Sequence, residues 1–181
     1  RVTGQLIDAR TDKHVWAKAY DRDLTDIFAV QAELATEIAG ALRAVFTPPQ
    51  KETLVRRHSR VPAAYELFLR ARSLGGVQRQ DSEKAGRAVA WLQSAVELDP
   101  EFAVAWGELA VAHSEQYFFD NDHAPERLAK AKVAIDTAQR LAPDDPEVIR
   151  DVGVYYYRAL RDYPRAVEQM RRVIALQPND S

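Results

Sequence analysis

The spacing of apolar positions changes once along the chain, from every second residue to every third or fourth. In the opening stretch Val2, Gly4 and Leu6 share one face against Thr3, Gln5 and Ile7, and Trp16, Lys18 and Tyr20 oppose Val15, Ala17 and Ala19. Alternation is the period of a strand, and the short polar run Arg10-Thr11-Asp12-Lys13 has the composition of a hairpin turn. The pattern therefore predicts two strands within residues 1–22. An isolated hairpin is marginal in water, so this one needs something to lean on. Asp23, Thr25 and Asp26 then offer capping oxygens and negative charge at a helix start. From there Ile27, Val30, Leu34, Ile38, Ala41, Leu42 and Val45 recur at helical spacing, with Glu33, Glu37 and Arg43 on other faces. This predicts an amphipathic helix ending before Pro48-Pro49.

After a polar connection, the helical period returns at Pro62, a residue suited to a first turn, and carries Tyr65, Phe68, Leu69 and Leu74 as far as the break at Gly75-Gly76. Asp81 or Ser82 caps the next expected helix, which holds Val89, Leu92, Val96 and Leu98. A second pair is expected over 101–119 and 125–141, around a loop at Asp120-Asn121-Asp122, and a third over 145–160 and 162–176. The three pairs end alike. Ala88, Leu92, Ala95 and Pro100 recur as Ala131, Ile135, Ala138 and Pro143, and again as Ala166, Met170, Val173 and Pro178, with identical steps of four, three and five residues. The first two steps keep small and apolar residues on one helix face. The proline lacks an amide hydrogen and disfavours helix in the residue before it, so it ends each repeat. A periodic helix with a fixed stop predicts stacked helical hairpins, an architecture used for holding other chains far more than for catalysis.

Composition narrows the picture. With 46% hydrophobic and 29% charged residues the chain has the make-up of a folded protein, and a formal charge of -2 gives no bulk reason to bind nucleic acid. No apolar run reaches membrane-spanning length and no signal-peptide pattern is present. The absence of cysteine removes disulfides, thiolate nucleophiles and zinc–thiolate sites together, and fits a cytoplasmic location. The chain opens on Arg1 directly in the alternating pattern, which suggests a piece of something larger.

Two family resemblances follow from these residues. Trp106 and Leu109 three apart, Ala110 at a close-packing position, and Ala131 to Pro143 behind them resemble the tetratricopeptide repeat, as do Gly153, Tyr156, the Asp162-Tyr163 turn and Ala166. The resemblance implies paired helices of about 34 residues winding into a right-handed superhelix. The interval from Pro100 to Pro143 is 43 residues and that from Pro143 to Pro178 is 35, so the second unit is stretched. Lengthened tips are tolerated because loop closure depends weakly on length. At the front, Arg1 to Asp8, His14-Val15-Trp16-Ala17, Tyr20-Asp21-Arg22-Asp23 and Asp26 to Gln31 resemble the last hairpin and helix of the TolB-like amino-terminal α/β domain. That domain often precedes tetratricopeptide repeats in bacterial multidomain signalling proteins, among them class III adenylate or guanylate cyclases and winged-helix transcription regulators.

Candidate chemistry is sparse. Asp120, Asp122 and His123 lack the spacing of a calcium loop, and a solvated loop is the better reading. His14, His58 and His113 are scattered, and Gly75-Gly76 lacks the context of a phosphate loop. Arg56, Arg57, His58 and Arg60 read as a hydrated linker rather than a phosphate-binding cluster. Trp16, Trp91 and Trp106 are expected in the core. The repeat register predicts one functional surface, a concave face lined by the first helix of each pair. It would carry Glu66, Arg70 and Ser73, then Gly107, Val111 and Ser114, then Arg150, Val154, Tyr157 and Arg158, a mixture suited to an extended or acidic peptide.

The expectation is thus a mostly α protein. Residues 1–47 form the end of a TolB-like α/β domain, 48–61 a linker, and 62–100, 101–143 and 144–181 three tetratricopeptide-like pairs. Its role would be non-catalytic and regulatory, with a protein or peptide partner, no cofactor, no metal, no nucleic acid and no membrane, and with the hairpin available to pair with a second copy. The alternatives are the regulatory part of a cyclase whose catalytic domain lies upstream, or part of a winged-helix regulator.

Overall fold

The computed structural model describes residues 2–21, 27–41, 59–74, 82–119 and 123–177. Two compact units are present, Arg1–Arg57 and His58–Ser181.

In the first unit β1 (Val2–Asp8) and β2 (Lys13–Tyr20) pair antiparallel. Val2 lies opposite Tyr20, Gly4 opposite Lys18 and Leu6 opposite Trp16; Ile7 then pairs with His14, which leaves Val15 as an extra residue on β2. Such a bulge bends the strand locally. The carbonyl of Asp8 accepts from the amides of Thr11 and Asp12 at 3.2 and 2.8 Å and so closes the turn. Asp12 takes a left-handed φ of 53°, which a short polar side chain tolerates. The alternation read from the sequence is realised: Trp16 and Lys18 are half-buried and Tyr20 is buried, whereas Val15, Ala17 and Ala19 are exposed. Helix α1 (Ile27–Ala41) packs on β2. Trp16 Nε1 donates to Glu37 Oε2 at 3.0 Å, and Lys18 Nζ donates to Glu33 Oε1 at 2.8 Å and to Glu37. These bonds raise the Lys18 pKa above its ordinary value, and Lys18 holds the Glu37 carboxyl below its own. The expected cap residues Asp23, Thr25 and Asp26, and the expected helix end at Leu42 to Val45, lie outside the described residues.

The second unit is helical: α2 (Pro62–Ser73), α3 (Ser82–Leu98), α4 (Ala103–Phe119), α5 (Pro125–Leu141), α6 (Pro146–Tyr155) with a π-helical turn Tyr156–Leu160, and α7 (Tyr163–Leu176). Proline at the first turn opens α2, α5, α6 and α7. Asp145 Oδ1 accepts from the Glu147 amide at 2.9 Å and Asp162 Oδ1 from the Arg165 amide at 3.2 Å, capping α6 and α7. Helices α2 and α3, α4 and α5, and α6 and α7 pack as neighbours, and α4 also packs against α3 and α6. A 17-residue helix is about 25 Å long. With so short a link, α5 must run back along α4.

The three repeat endings share one hydrogen bond. Asp99 donates to the Ala95 carbonyl at 3.0 Å, Ala142 to Ala138 at 2.9 Å, and Gln177 to Val173 at 2.8 Å. Each donor precedes a proline, and Ala142 and Gln177 have already left the helix at ψ of 73° and 68°. Pro178 itself lies outside the described residues.

The alanines make the packing possible. Ala88, Ala95, Ala131 and Ala138 are fully buried and Ala166 is nearly so, with Leu92 and Ile135 between them. Small side chains let helices approach closely, and Phe68 on α2 fills the step to the next pair by packing on Phe102, ring centroids 4.8 Å apart. Gly107 and Gly153 mark the tightest approaches. A Cβ on Gly107 would lie 2.4 Å from Asp151 Oδ2, and one on Gly153 would lie 2.7 Å from Met170 Cε.

Two expectations need correction. The tryptophans are half-buried at the edge of the core rather than inside it, because an indole N–H needs a partner; that of Trp106 donates to the Pro100 carbonyl at 3.0 Å. The helix expected over 145–160 changes to π geometry at Tyr156 and closes on Arg161 with φ of 54°.

Candidate functional site

Helix α4 is surrounded by other helices and carries polar side chains inside the fold: Glu108, His113, Ser114, Glu115 and Gln116 are all buried. A buried carboxylate needs a cation and hydrogen bonds. Arg150 on α6 provides both, its Nη2 lying 3.1 Å from Glu108 Oε1 and 2.8 Å from Asp151 Oδ1. From α2, Arg72 Nη1 lies 3.0 Å from Glu147 Oε2, and its Nε stands 3.9 Å from Glu108 Oε1. Farther along, Arg158 pairs with Glu115. The result is a ladder of ion pairs that links α2, α4 and α6.

Glu108 and Arg150 are 42 residues apart in sequence, and Glu115 and Arg158 are 43 apart. The added residue is the work of the π turn. Seven residues separate the glutamates and eight the arginines, and a π turn takes up one residue more than an α turn. Both arginines thereby stay level with their partners.

Asp151 is the most enclosed member, 1% exposed and packed against Gly107. Burial pushes its carboxyl above the ordinary range, while Arg150 pulls it back. Burial opposes the Arg150 charge, but Asp151 and Glu108 outweigh it and the guanidinium pKa is raised.

The sequence-predicted face is brought together only in part. Arg150, Val154, Tyr157 and Arg158 lie along α6 and its π turn, with Tyr157 48% exposed. Val111 and Ser114 are buried in helix contacts, Ser114 Oγ donating to the Ala110 carbonyl at 2.7 Å. Gly107 is covered by Asp151. On α2, Glu66, Arg70 and Ser73 are exposed and satisfy one another: Arg70 donates to Glu66 at 2.6 Å, and Ser73 Oγ to the Arg70 carbonyl at 2.7 Å. The α2 residue that reaches the other helices is Arg72. Arg72, Glu108, Glu115, Glu147 and Asp151 were missed by the sequence reading, although a pairing at the repeat offset was the available signal.

An aromatic group adjoins the ladder. Arg158 lies over the Phe119 ring at 5.3 Å, the Phe118 and Tyr157 rings are 6.5 Å apart, and those of Tyr157 and Tyr163 are 5.6 Å apart. Of the other candidates, His123 sits edge-on to Tyr117 at 5.0 Å. Asp120, Asp122, Arg56, Arg57, His58, Gly75 and Gly76 lie outside the described residues. Among the described residues no group of three His, Asp or Glu side chains could hold a metal ion, and no helix is long and apolar enough to cross a membrane.

What these features define is a mostly helical protein with a small antiparallel hairpin and a charged, aromatic-edged helix face. No protein-family model matches the sequence. The chain is similar to a protein of Rhizobium meliloti (strain 1021) named "Putative adenylate cyclase 3", being 34% identical to it over 142 residues. The match covers 76% of this chain and 24% of that protein, so the chain spans about a quarter of the relative's length.

Proposed function

We propose that this chain is a non-catalytic regulatory module of an adenylate-cyclase-related signalling protein, working in the cytoplasm and holding a partner polypeptide on the face made by α2, α4 and α6. In this reading the helix pairs are tetratricopeptide-like repeats that wind as a right-handed superhelix, and the hairpin with α1 is the end of a TolB-like domain. The observation that carries it is the ion-pair ladder at the repeat offset, which aligns the first helices of successive pairs and leaves Val154, Tyr157 and the neighbouring aromatics along one edge. The ladder's charges are largely matched within the chain. The partner is therefore an extended segment anchored by apolar or aromatic side chains, with hydrogen bonds to the half-exposed Arg72 and Arg150. The hairpin, a two-stranded sheet, is open to pairing with a second copy.

The name carried by the relative favours a cyclase parent, with turnover located outside this chain. Cyclic AMP formation from ATP, measured on residues 1–181 and on the full gene product, tests the division of labour. The expected result is activity in the full product alone. Turnover by residues 1–181 would overturn the non-catalytic assignment.

A further inference from the structure

The outer side of α7 carries a pattern that is covered elsewhere in the chain. The repeat takes Val89, Leu92 and Val96 of α3 into Lys132, Ile135 and Gln139 of α5 and into Val167, Met170 and Ile174 of α7. Helix α4 packs beside α3, where Leu92 is fully buried and Val96 is 2% exposed. On α5 the first and last of the three are a lysine and a glutamine, and both are exposed. On α7 those two positions are apolar again, yet Val167 is 48% and Ile174 64% exposed. The chain thus keeps apolar side chains at the positions a neighbouring helix covers and polar ones where water does. With Tyr163, also exposed, the α7 residues form a stripe: Tyr163, Val167, Met170 and Ile174 follow one another at steps of four, three and four. That spacing is the seam of two helices packed side by side at a shallow angle.

The charges beside the stripe select the occupant. Glu168 and Arg171 lie on one flank of α7, both exposed, and neither has an ion pair among the described residues. We propose that α7 pairs with α7 of a second copy of this chain, antiparallel about a two-fold axis. With the axis level with Glu168 and Gln169, Val167 meets Met170 of the second copy and Tyr163 meets its Ile174, and the same contacts recur on the other side of the axis. Glu168 then stands two residues, about 3 Å along the helix, from Arg171 of the second copy. The dimer gains two ion pairs that the single chain does not make. A covering helix of other sequence would bury the stripe and leave both charges unmatched. At 14 residues the seam is about 21 Å long, so the dimer belongs with small, readily exchanging interfaces. The contact is separate from the hairpin, and Val167, Met170 and Ile174 take no part in the polypeptide-holding face.

The chain has no cysteine, so Val167→Cys introduces its one thiol, at an exposed position that leaves the fold intact. In the paired arrangement the two copies of position 167 are offset by three residues, about 4.5 Å along the helix, within reach of a short bismaleimide. Purified residues 1–181 carrying Val167→Cys are expected to give a covalent dimer whose yield rises with protein concentration, whereas Glu126→Cys, exposed on α5, gives none. Ile174→Glu in the Val167→Cys background is expected to abolish the dimer. Glu168→Arg or Arg171→Glu alone is expected to weaken association about fivefold, the loss of two exposed ion pairs by symmetry, and the double swap Glu168→Arg with Arg171→Glu to restore it. In the full gene product Val167→Cys is expected to give the same dimer. The proposal is overturned by no dimer from Val167→Cys up to about 200 µM protein, where even a weak interface would register; by equal yields from Val167→Cys and Glu126→Cys; by undiminished yield with Ile174→Glu; or by a double swap that fails to restore association. It is also overturned if the thiol of Val167→Cys is shielded from maleimide in the full gene product without forming the dimer, since another segment then covers α7.

Discussion

Helix α4 presents buried polar groups in two directions, and their surroundings differ. Towards α2 and α6, Glu108 and Glu115 each meet an arginine from another helix, and Asp151 shares Arg150 with Glu108. Towards α3 and α5, His113 lies beside a groove lined by mostly apolar residues with Gln93 and Lys130, and its Nδ1 bonds to nothing among the described residues. Both sets sit in the same alanine-packed framework. Polarity matched within the chain ties one helix pair to the next, so it belongs to the packing. Polarity enclosed without a partner, as at His113 Nδ1, costs stability instead.

Substitutions can break this contrast. The largest effect is expected from Arg150→Met, which removes the arginine bonded to Asp151 and the nearer of the two arginines beside Glu108. Discounted for the part-exposed guanidinium, the loss should be about 2–4 kcal/mol in urea unfolding, whereas Arg70→Met, which removes an exposed pair, should stay within about 0.5 kcal/mol. Next is Gly107→Ala. Its methyl would land 2.4 Å from Asp151 Oδ2 on a neighbouring helix, and overpacking of this kind is expected to lower stability by about 1–3 kcal/mol.

The two clusters should also respond to pH with opposite signs. His113, pushed down by burial, titrates at about 4 when folded and near 6.5 in an unfolded chain. Below the unfolded value the unfolded state binds more protons, so stability should fall by about 2–3 kcal/mol as pH drops from 6.5 to 4. His113→Leu should remove that fall in thermal melts across the same window. Asp151, raised by burial, holds its proton to higher pH when folded than when unfolded. Its contribution is present at acid pH and is lost as pH rises through the folded value, and Asp151→Asn should flatten that slope. The smallest effect sharpens the comparison from the other side. Gly86→Ala, in open space on α3, should stabilise by about 0.5–1 kcal/mol through helix propensity alone.

Much of the framework was legible in the sequence, because it follows from local periods. Alternation placed Trp16, Lys18 and Tyr20 on one face, and the spacing from Ala88 to Pro100 located helix ends that share one backbone bond. The bulge at Val15 and the π turn at Tyr156 left no such mark, since each inserts a single residue that only a partner strand or helix makes necessary. The proposed face was legible only in the positions of its residues along α6. Arg150, Val154, Tyr157 and Arg158 fall where the register places them, but on α2 the reaching residue is Arg72, about one-third of a turn or more from the Glu66–Arg70 side. Their glutamate partners lie some forty residues away in sequence and meet them only once the helices stack. His113 read as an isolated histidine because the groove beside it is assembled from three helices.

The central claim, a polypeptide held along α2, α4 and α6, is tested most directly by site-specific photo-crosslinking in cells with a photoreactive phenylalanine in place of Tyr157, of Arg70 or of Gln139, which is exposed on α5. The expected result is a discrete polypeptide adduct from position 157, lost when Val154 is also changed to Asp, with none from positions 70 or 139. Adducts of equal yield at all three positions, or none from 157, would contradict it.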